Sequence, residues 1–481
     1  MKVLFVSSEV RPFSRSGGLG DVAGSLPKAL KAQGVDVRVV LPKYGNIPKE
    51  HLTNARYVTS LTTHLSWREQ GAGIYTIENK DSDEPQVYMF ENDYYFGRDG
   101  IYGYGDDFER FAFFSRVSLE FLTKVNFKPD IVHFNDWPTG LGCTYLKDIY
   151  KGFTFYQDMK SLFSIHNLRY QGSFGREVLW SMGLNDGYFT NGELEFYGNI
   201  SLLKAGVIHS DAVSTVSETY AREIQTPSFG YGMDGLLRMR GEYEGKLFGI
   251  VNGIDMQSHN PATDRRIFEN FDINSAQEGK RVNKQKLQEQ LGLPQRDVPL
   301  VGVVSRLANG KGFDIISVAI EEMMSKDIQF VVLGTGEGRY EELFRNCAWR
   351  YPDKMSAQIT FNDELAQRIY AASDIFLMPS VYEPCGLGQM YAMRYGTIPV
   401  VRKTGGLADT VRHFGPDAPD GNGFLFEDFV ASGLMWALNQ ALSYYHTPHW
   451  VEIVRNAMEG DYSWDKSAKA YVELYRRMAE K

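Results

Sequence analysis

The chain has 481 residues, 43% of them hydrophobic and 23% charged, which is enough for two ordinary folded domains and too apolar for a disordered protein. A net charge of −9 with no long basic run excludes nucleic acid as the main partner. Three scattered cysteines (Cys143, Cys347, Cys385) give neither a disulfide framework nor a metal cage, and no apolar stretch reaches membrane-spanning length. The first run, Met1-Lys2-Val3-Leu4-Phe5-Val6, is too short for a signal peptide, so a cytoplasmic protein is expected.

Apolar β-rich runs alternate with helical patterns almost throughout, which implies βαβ units and parallel sheets. In the first half the runs cover residues 3–7, 35–42, 131–135, 161–166, 212–217 and 247–251. The rhythm restarts at 300–305, 329–333, 357–361, 375–378 and 398–402. Between the two sets lies a polar stretch, 255–298, with a helical pattern over 275–291 where Ser275 and Glu278 have the spacing of a capping box. The hinge is placed near Asn252-Gly253. The expected fold class is α/β, with two Rossmann-like, doubly wound domains over 1–253 and 254–461. A helical tail, 462–481, either closes the second domain or crosses back to the first.

Five stretches could carry chemistry, all at the ends of expected strands, where α/β sheets bind ligands. In the second half, the run 375–378 delivers Glu383 at a turn set by Pro384, after which Gly386 and Gly388 open a helix. Ser305-Arg306 through Lys311-Gly312 places two cations that could neutralise a diphosphate, Arg as a planar fork and Lys as a point charge; alone, two basic residues read more readily as a solvated turn. A glycine loop with Gly334, Gly336 and Gly338 follows the run 329–333. In the first half, His133 to Asp136-Trp137 and His166-Asn167 through Gly172 offer polar groups and rings to a sugar. A further aromatic loop, 93–111, reads as a binding loop or as a packed one.

One motif occurs twice. Arg15-Ser16-Gly17-Gly18-Leu19-Gly20-Asp21 matches Lys403-Thr404-Gly405-Gly406-Leu407-Ala408-Asp409. Each copy has a cation before its glycines and opens a helix. Either both are tight turns in which glycine serves close packing, or both face a phosphate or sugar. Rival chemistries find less support. Asp81 and Asp83 have the spacing of an acidic metal pair but sit in a polar surface-type turn. There is no Gly-x-Ser-x-Gly elbow, and the first glycine turn lacks the spacing of a dinucleotide fingerprint.

Glu383-Pro384-Cys385-Gly386-Leu387 followed by Lys403 to Val411 resembles the bacterial glycogen synthases and starch synthases. The similarity extends over residues 15–22, 133–141, 166–172, 215–224, 229–237, 251–255 and 305–312. The resemblance implies two Rossmann-like domains facing across a cleft (the GT-B glycosyltransferase architecture), with the last helix on the first domain. It implies transfer of glucose from ADP-glucose to the non-reducing end of an α-1,4-glucan with retention, with ADP-glucose as co-substrate, no cofactor and no metal. The same pattern puts Arg306 and Lys311 on the donor phosphates, Glu383 beside the donor glucose, and His166 and Asp136 on the sugar. Arg15, Gly17, Gly18, Asp21, Asn252, Gly336, Phe361, Cys385, Gly386 and Leu387 would line the substrate site. The chain departs from the family pattern at Arg15 (usually Lys), Gly310 (Gln), Arg169 (a small residue), His259 (Trp) and Phe361 (Tyr). Arg15 and Phe361 border the donor site, so the alternative is a GT-B glycosyltransferase using UDP-glucose or a small acceptor, with a non-catalytic glucan-binding relative as a third reading.

Overall fold

The computed structural model describes residues 1–77 and 83–480, so Asp81 of the acidic pair lies outside the described residues. The chain divides into two units, the first containing residues 1–253 together with 464–481 and the second 254–463.

The first unit carries β1 (Lys2–Val6), β2 (Asp36–Pro42), β3 (Ala55–Leu65), β4 (Arg68–Ile77), β5 (Gln86–Glu91), β6 (Ile131–Asn135) and β7 (Lys160–Ile165). Three short strands, β8 (Ser173–Phe174), β9 (Glu195–Phe196) and β10 (Asn199–Ser201), form a separate small sheet, and β11 (Ala212–Thr215) and β12 (Leu247–Gly249) complete the set. The main sheet runs β12-β11-β7-β6-β1-β2-β5-β4-β3. Its strands are parallel except where β4 pairs antiparallel with both neighbours. Helices bury both faces of the parallel strands, so β1 and β6 are apolar almost without break. The hairpin β3–β4 and strand β5 were not expected. The hairpin lies at the sheet edge, and β3 carries Thr and other polar residues on its open face, so it lacks an apolar run.

The terminal helix Trp464–Ala479 packs on this unit through Trp464, Ala468, Tyr471 and Tyr475. Tyr475 Oη meets His133 Nδ1 at 2.7 Å, and Ser467 Oγ donates to the Val251 carbonyl at 2.6 Å.

The second unit holds β13 (Leu300–Val304), β14 (Gln329–Leu333), β15 (Met355–Gln358), β16 (Ile375–Met378), β17 (Ile398–Arg402) and β18 (Phe424–Phe426). Their order, β15-β14-β13-β16-β17-β18, is parallel throughout and is the 3-2-1-4-5-6 arrangement of a doubly wound sheet. Direction of winding reverses between β13 and β16. Asp374 fixes that seam: its carboxylate accepts from the Leu300 amide at 2.8 Å and from Lys284 Nζ at 2.7 Å. Lys280, on the same helix, donates to the carbonyls of Ala371 and Tyr395 and to Thr397 Oγ1, and burial brings its pKa down to about 7.

Two sequence expectations need correction. Strand β15 spans Met355–Gln358, so Phe361 lies beyond the strand and not at its end. The helix Ala276–Gln290 starts where expected, but Ser275 makes no side-chain cap. Asp272 accepts from the amides of Asn274 and Ser275 and from Ser275 Oγ, while Glu278 pairs with Arg281. A local Asx turn outcompetes the capping box.

Candidate active site

In the second unit the residues of interest leave β13 and β16, the two strands at the winding reversal, where such sheets open a crevice for ligands. Glu383 follows β16 and is only 7% exposed. Lys311 Nζ donates to its Oε2 at 2.7 Å and Ser380 Oγ donates to the same oxygen at 3.0 Å. A buried carboxylate is costly unless paired, and this one has a cation and a hydroxyl. Arg306 follows β13 and is exposed. Gly312 adopts φ +81°, and a Cβ there would stand 2.0 Å from the Pro379 carbonyl, so the Lys311 loop can lie on the Glu383 loop only with glycine.

Around Glu383, Cys385 is buried, Gly386 takes φ +74°, and Leu387 precedes the helix Gly388–Arg394. Gly336 lies against Leu307, whose carbonyl would be 2.1 Å from an added Cβ, which makes it a packing glycine. Phe361 is 77% exposed, past the C-terminal end of β15. The Lys403 elbow behaves differently from expectation. A Cβ on Gly405 would fall 1.9 Å from the Glu383 carbonyl, and one on Gly406 2.1 Å from that of Cys385. The Gly406 amide donates to the Glu383 carbonyl at 3.1 Å. These glycines hold the Glu383 turn in place, so the reading of this elbow as phosphate-facing is withdrawn.

In the first unit the corresponding reversal lies between β1 and β6. Asp136 follows β6 with φ +58° and ψ 177°, a backbone region nearly confined to glycine and found in non-glycine residues mainly at functional sites. Its Oδ1 accepts from the His166 amide at 2.8 Å, and burial pushes its pKa up to about 7. His166 follows β7, and burial pulls its pKa down to about 4, so the ring is neutral at pH 7. Asn135 Nδ2 donates to the Val6 carbonyl, which leaves Asn135 Oδ1 as the acceptor facing His166 Nε2 at 2.9 Å. The proton is therefore on Nε2, and Nδ1 is an acceptor of the kind a sugar hydroxyl needs. His133, by contrast, is fully buried between Tyr475 and Ser164 and serves the fold.

The Arg15 elbow is open: a Cβ on Gly17 or Gly18 would meet nothing within 4 Å. Arg15 pairs with Asp21 at 3.1 Å, and Arg11 reaches the same carboxylate. Burial lifts the Asp21 carboxyl above its usual range, against the pull of these two arginines. Sequence reasoning missed Glu9, which organises this loop. Its buried carboxylate accepts from the Ser16 amide and hydroxyl, from the Gly17 amide at 3.1 Å and from Tyr102 Oη at 2.7 Å. Glu9 thus already satisfies two of the amides that the elbow presents. Asn252, just past β12, is buried with its Oδ1 unpartnered. An unsatisfied buried acceptor at a strand end marks a place for a ligand donor. The aromatic loop 93–111 is packed, with Arg98 bidentate to Asp106 at 2.6 Å and Arg110 buried on Asp107.

Residues 2–239 match the model of the starch synthase catalytic domain and residues 283–457 that of glycosyl transferases group 1. A glycogen synthase from Clostridium novyi is 47% identical over 100% of both chains, and one from Desulforamulus reducens 48% identical over 99% of both. The chain belongs to the glycogen and starch synthase family. Among solved structures, the catalytic domain of starch synthase IV from Arabidopsis thaliana, bound to ADP and acarbose, superposes with a TM-score of 0.91 at 34% identity. That match covers 100% of this chain and 99% of the other. A sucrose-phosphate synthase from Thermosynechococcus elongatus shares the fold, with a TM-score of 0.62 at 18% identity over 99% of this chain and 98% of its own. As in this family of glycosyltransferases, the two sheets are of GT-B type. No helix among the described residues is long and apolar enough to cross a membrane.

Proposed function

We propose that the chain transfers glucose from ADP-glucose to the 4-hydroxyl at the non-reducing end of an α-1,4-glucan, with retention at the anomeric carbon. The observation that carries this reading is the buried Glu383 carboxylate held by Lys311 at 2.7 Å where β13 and β16 end. The Arabidopsis relative, bound to ADP and acarbose, supports the substrate class.

Cleavage of the glucose–diphosphate bond sends its electron pair to the phosphate oxygen and leaves positive charge on the anomeric carbon. Arg306 and Lys311 offset the charge on the leaving diphosphate, so protein cations do the work a metal would otherwise do. The Glu383 carboxylate orients the glucose hydroxyls and opposes the oxocarbenium charge. It is not assigned as a nucleophile, since the retaining glycosidase scheme needs a second carboxylate about 5 to 5.5 Å away. In the first unit, neutral His166 accepts a sugar hydroxyl at Nδ1, Asp136 supplies a carboxylate, and Arg15, Gly18, Asp21 and Asn252 contact the substrate. Gly17 shapes the elbow that presents Gly18.

Incorporation of labelled glucose into glycogen from ADP-glucose and UDP-glucose, measured side by side, tests the proposal. Faster incorporation from ADP-glucose is expected. No incorporation from either donor would remove the reading, and a preference for UDP-glucose would remove the donor assignment.

A further inference from the structure

The N-terminal edge of the first sheet, opposite the edge that carries Asp136 and His166, contains a cavity of about 240 Å³. Lys160 begins β7, Ser210 and Asp211 precede β11, and Lys246 precedes β12. Lys147, Lys151 and Arg240 complete a lining of four lysines and one arginine against one carboxylate, Asp211. Such a concentration is unusual in a chain of net charge −9.

The anionic groups nearby are accounted for. Asp211 Oδ2 accepts from the Ser161 amide at 2.8 Å and from its hydroxyl at 3.1 Å. Glu244 pairs with Arg240 at 2.6 Å and with Lys246 at 3.3 Å. Glu193 pairs with His209, and Asp148 approaches the same ring at 4.0 Å. Among the described residues, Lys147, Lys151 and Lys160 have no carboxylate partner. Two buried donors also go unmet. Arg240 and Ser210 are each 4% exposed, and neither Arg240 Nε nor Ser210 Oγ has a hydrogen-bond partner. Buried polar atoms are rarely left so, and a concentration of donors and cations with spare capacity calls for an anion rich in acceptor oxygens.

We propose that this cavity binds a small phosphoryl anion, either inorganic phosphate or a short phosphate monoester. Its volume lies below the roughly 300–1,000 Å³ of sites for drug-sized ligands and suits a small anion better than a nucleotide sugar. Surface lysines supply point charges, and the buried arginine and serine supply directed donors. The site is separate from the transfer chemistry and does not depend on the proposed donor.

Titration calorimetry of the full chain with inorganic phosphate, and separately with glycerol 3-phosphate, tests this. Saturable binding of at least one is expected, and the tighter of the two identifies the source of the phosphoryl group. The double variant Lys151→Glu/Lys160→Glu, altered at side chains with no carboxylate partner, should weaken binding at least tenfold and leave transfer in phosphate-free buffer unchanged. Lys311→Ala should retain the binding, which separates this cavity from the cations at the β13 end. Absence of binding by both anions, unchanged affinity in the double variant, or loss of binding in Lys311→Ala would overturn the proposal.

Discussion

The two glycine elbows share a sequence pattern and do opposite things. At Gly17-Gly18 an added Cβ would meet nothing within 4 Å, whereas at Gly405-Gly406 it would strike the carbonyls of Glu383 and Cys385 at 1.9 and 2.1 Å. The first elbow leaves space outside its backbone, and its inner amides are held by the Glu9 carboxylate. The second has its space filled by the turn that carries the buried glutamate. Glycine is chosen for openness in one case and for close approach in the other. A repeated motif therefore reports a repeated backbone path and not a repeated ligand contact.

Substitutions can break or sharpen this contrast. The largest effect is expected where charge meets the Glu383 turn. Lys311→Ala removes both the partner of a buried carboxylate and a cation for the leaving phosphate, and should slow transfer a hundredfold or more, about 3 to 4 kcal/mol in the barrier. Steady-state rates at saturating donor check this, and a fall of less than tenfold would contradict it.

At the elbows themselves, Gly406→Ala should destabilise the chain by about 1–3 kcal/mol through overpacking and should also reduce transfer by moving Glu383. Gly17→Ala should leave stability within about 0.5 kcal/mol, because its φ of −158° suits any residue and its Cβ enters open space. Denaturant unfolding of the two variants side by side measures the difference. Equal losses would erase the distinction between the elbows.

Smaller shifts are expected at Arg15. Arg15→Lys keeps the charge but loses the fork that reaches Asp21 at 3.1 Å, so the KM for ADP-glucose should change severalfold while kcat stays nearly constant. A change in kcat alone would place Arg15 outside substrate binding.

A pH dependence is expected at Asp136 as well. Its folded pKa of about 7 lies above the ordinary aspartate value of 3.8, so the fold binds the proton more tightly than the unfolded chain does. The stability this confers is complete below pH 4 and is lost as pH rises through 7. Asp136→Asn should therefore gain stability relative to the parent between pH 4 and pH 7. Thermal unfolding at pH 5 and pH 8 reads that trend; an opposite trend would show that the carboxyl is held ionised.

Most of the framework was legible because parallel strands buried on both faces must be apolar runs, as β1, β6, β13 and β14 are. The hairpin β3–β4 was not, since an edge element has an open face and carries Thr and charge there. Strand ends pointed to Glu383, Lys311, Asp136 and His166, but spacing alone could not pair them. Lys311 and Glu383 are 72 positions apart, and only the adjacency of β13 and β16 brings them together. Glu9 was passed over because a charge that ends a strand looks like a solvated stop. Its neighbour in space, Tyr102, comes from a distant loop. His133 and His166 look alike in sequence, both near strand ends, and differ only in what surrounds them. The first is enclosed by Tyr475 and Ser164, and the second lies beside Asp136 at the winding reversal.

The central claim is that the buried Glu383 carboxylate serves glucosyl transfer. Its most direct test is elongation of a glucan primer from ADP-glucose by the parent chain and by Glu383→Gln, which preserves shape and removes charge. The account predicts elongation by the parent, and loss of at least a hundredfold in the variant with an unchanged fold by circular dichroism. Elongation by Glu383→Gln at a rate near the parent's would contradict it.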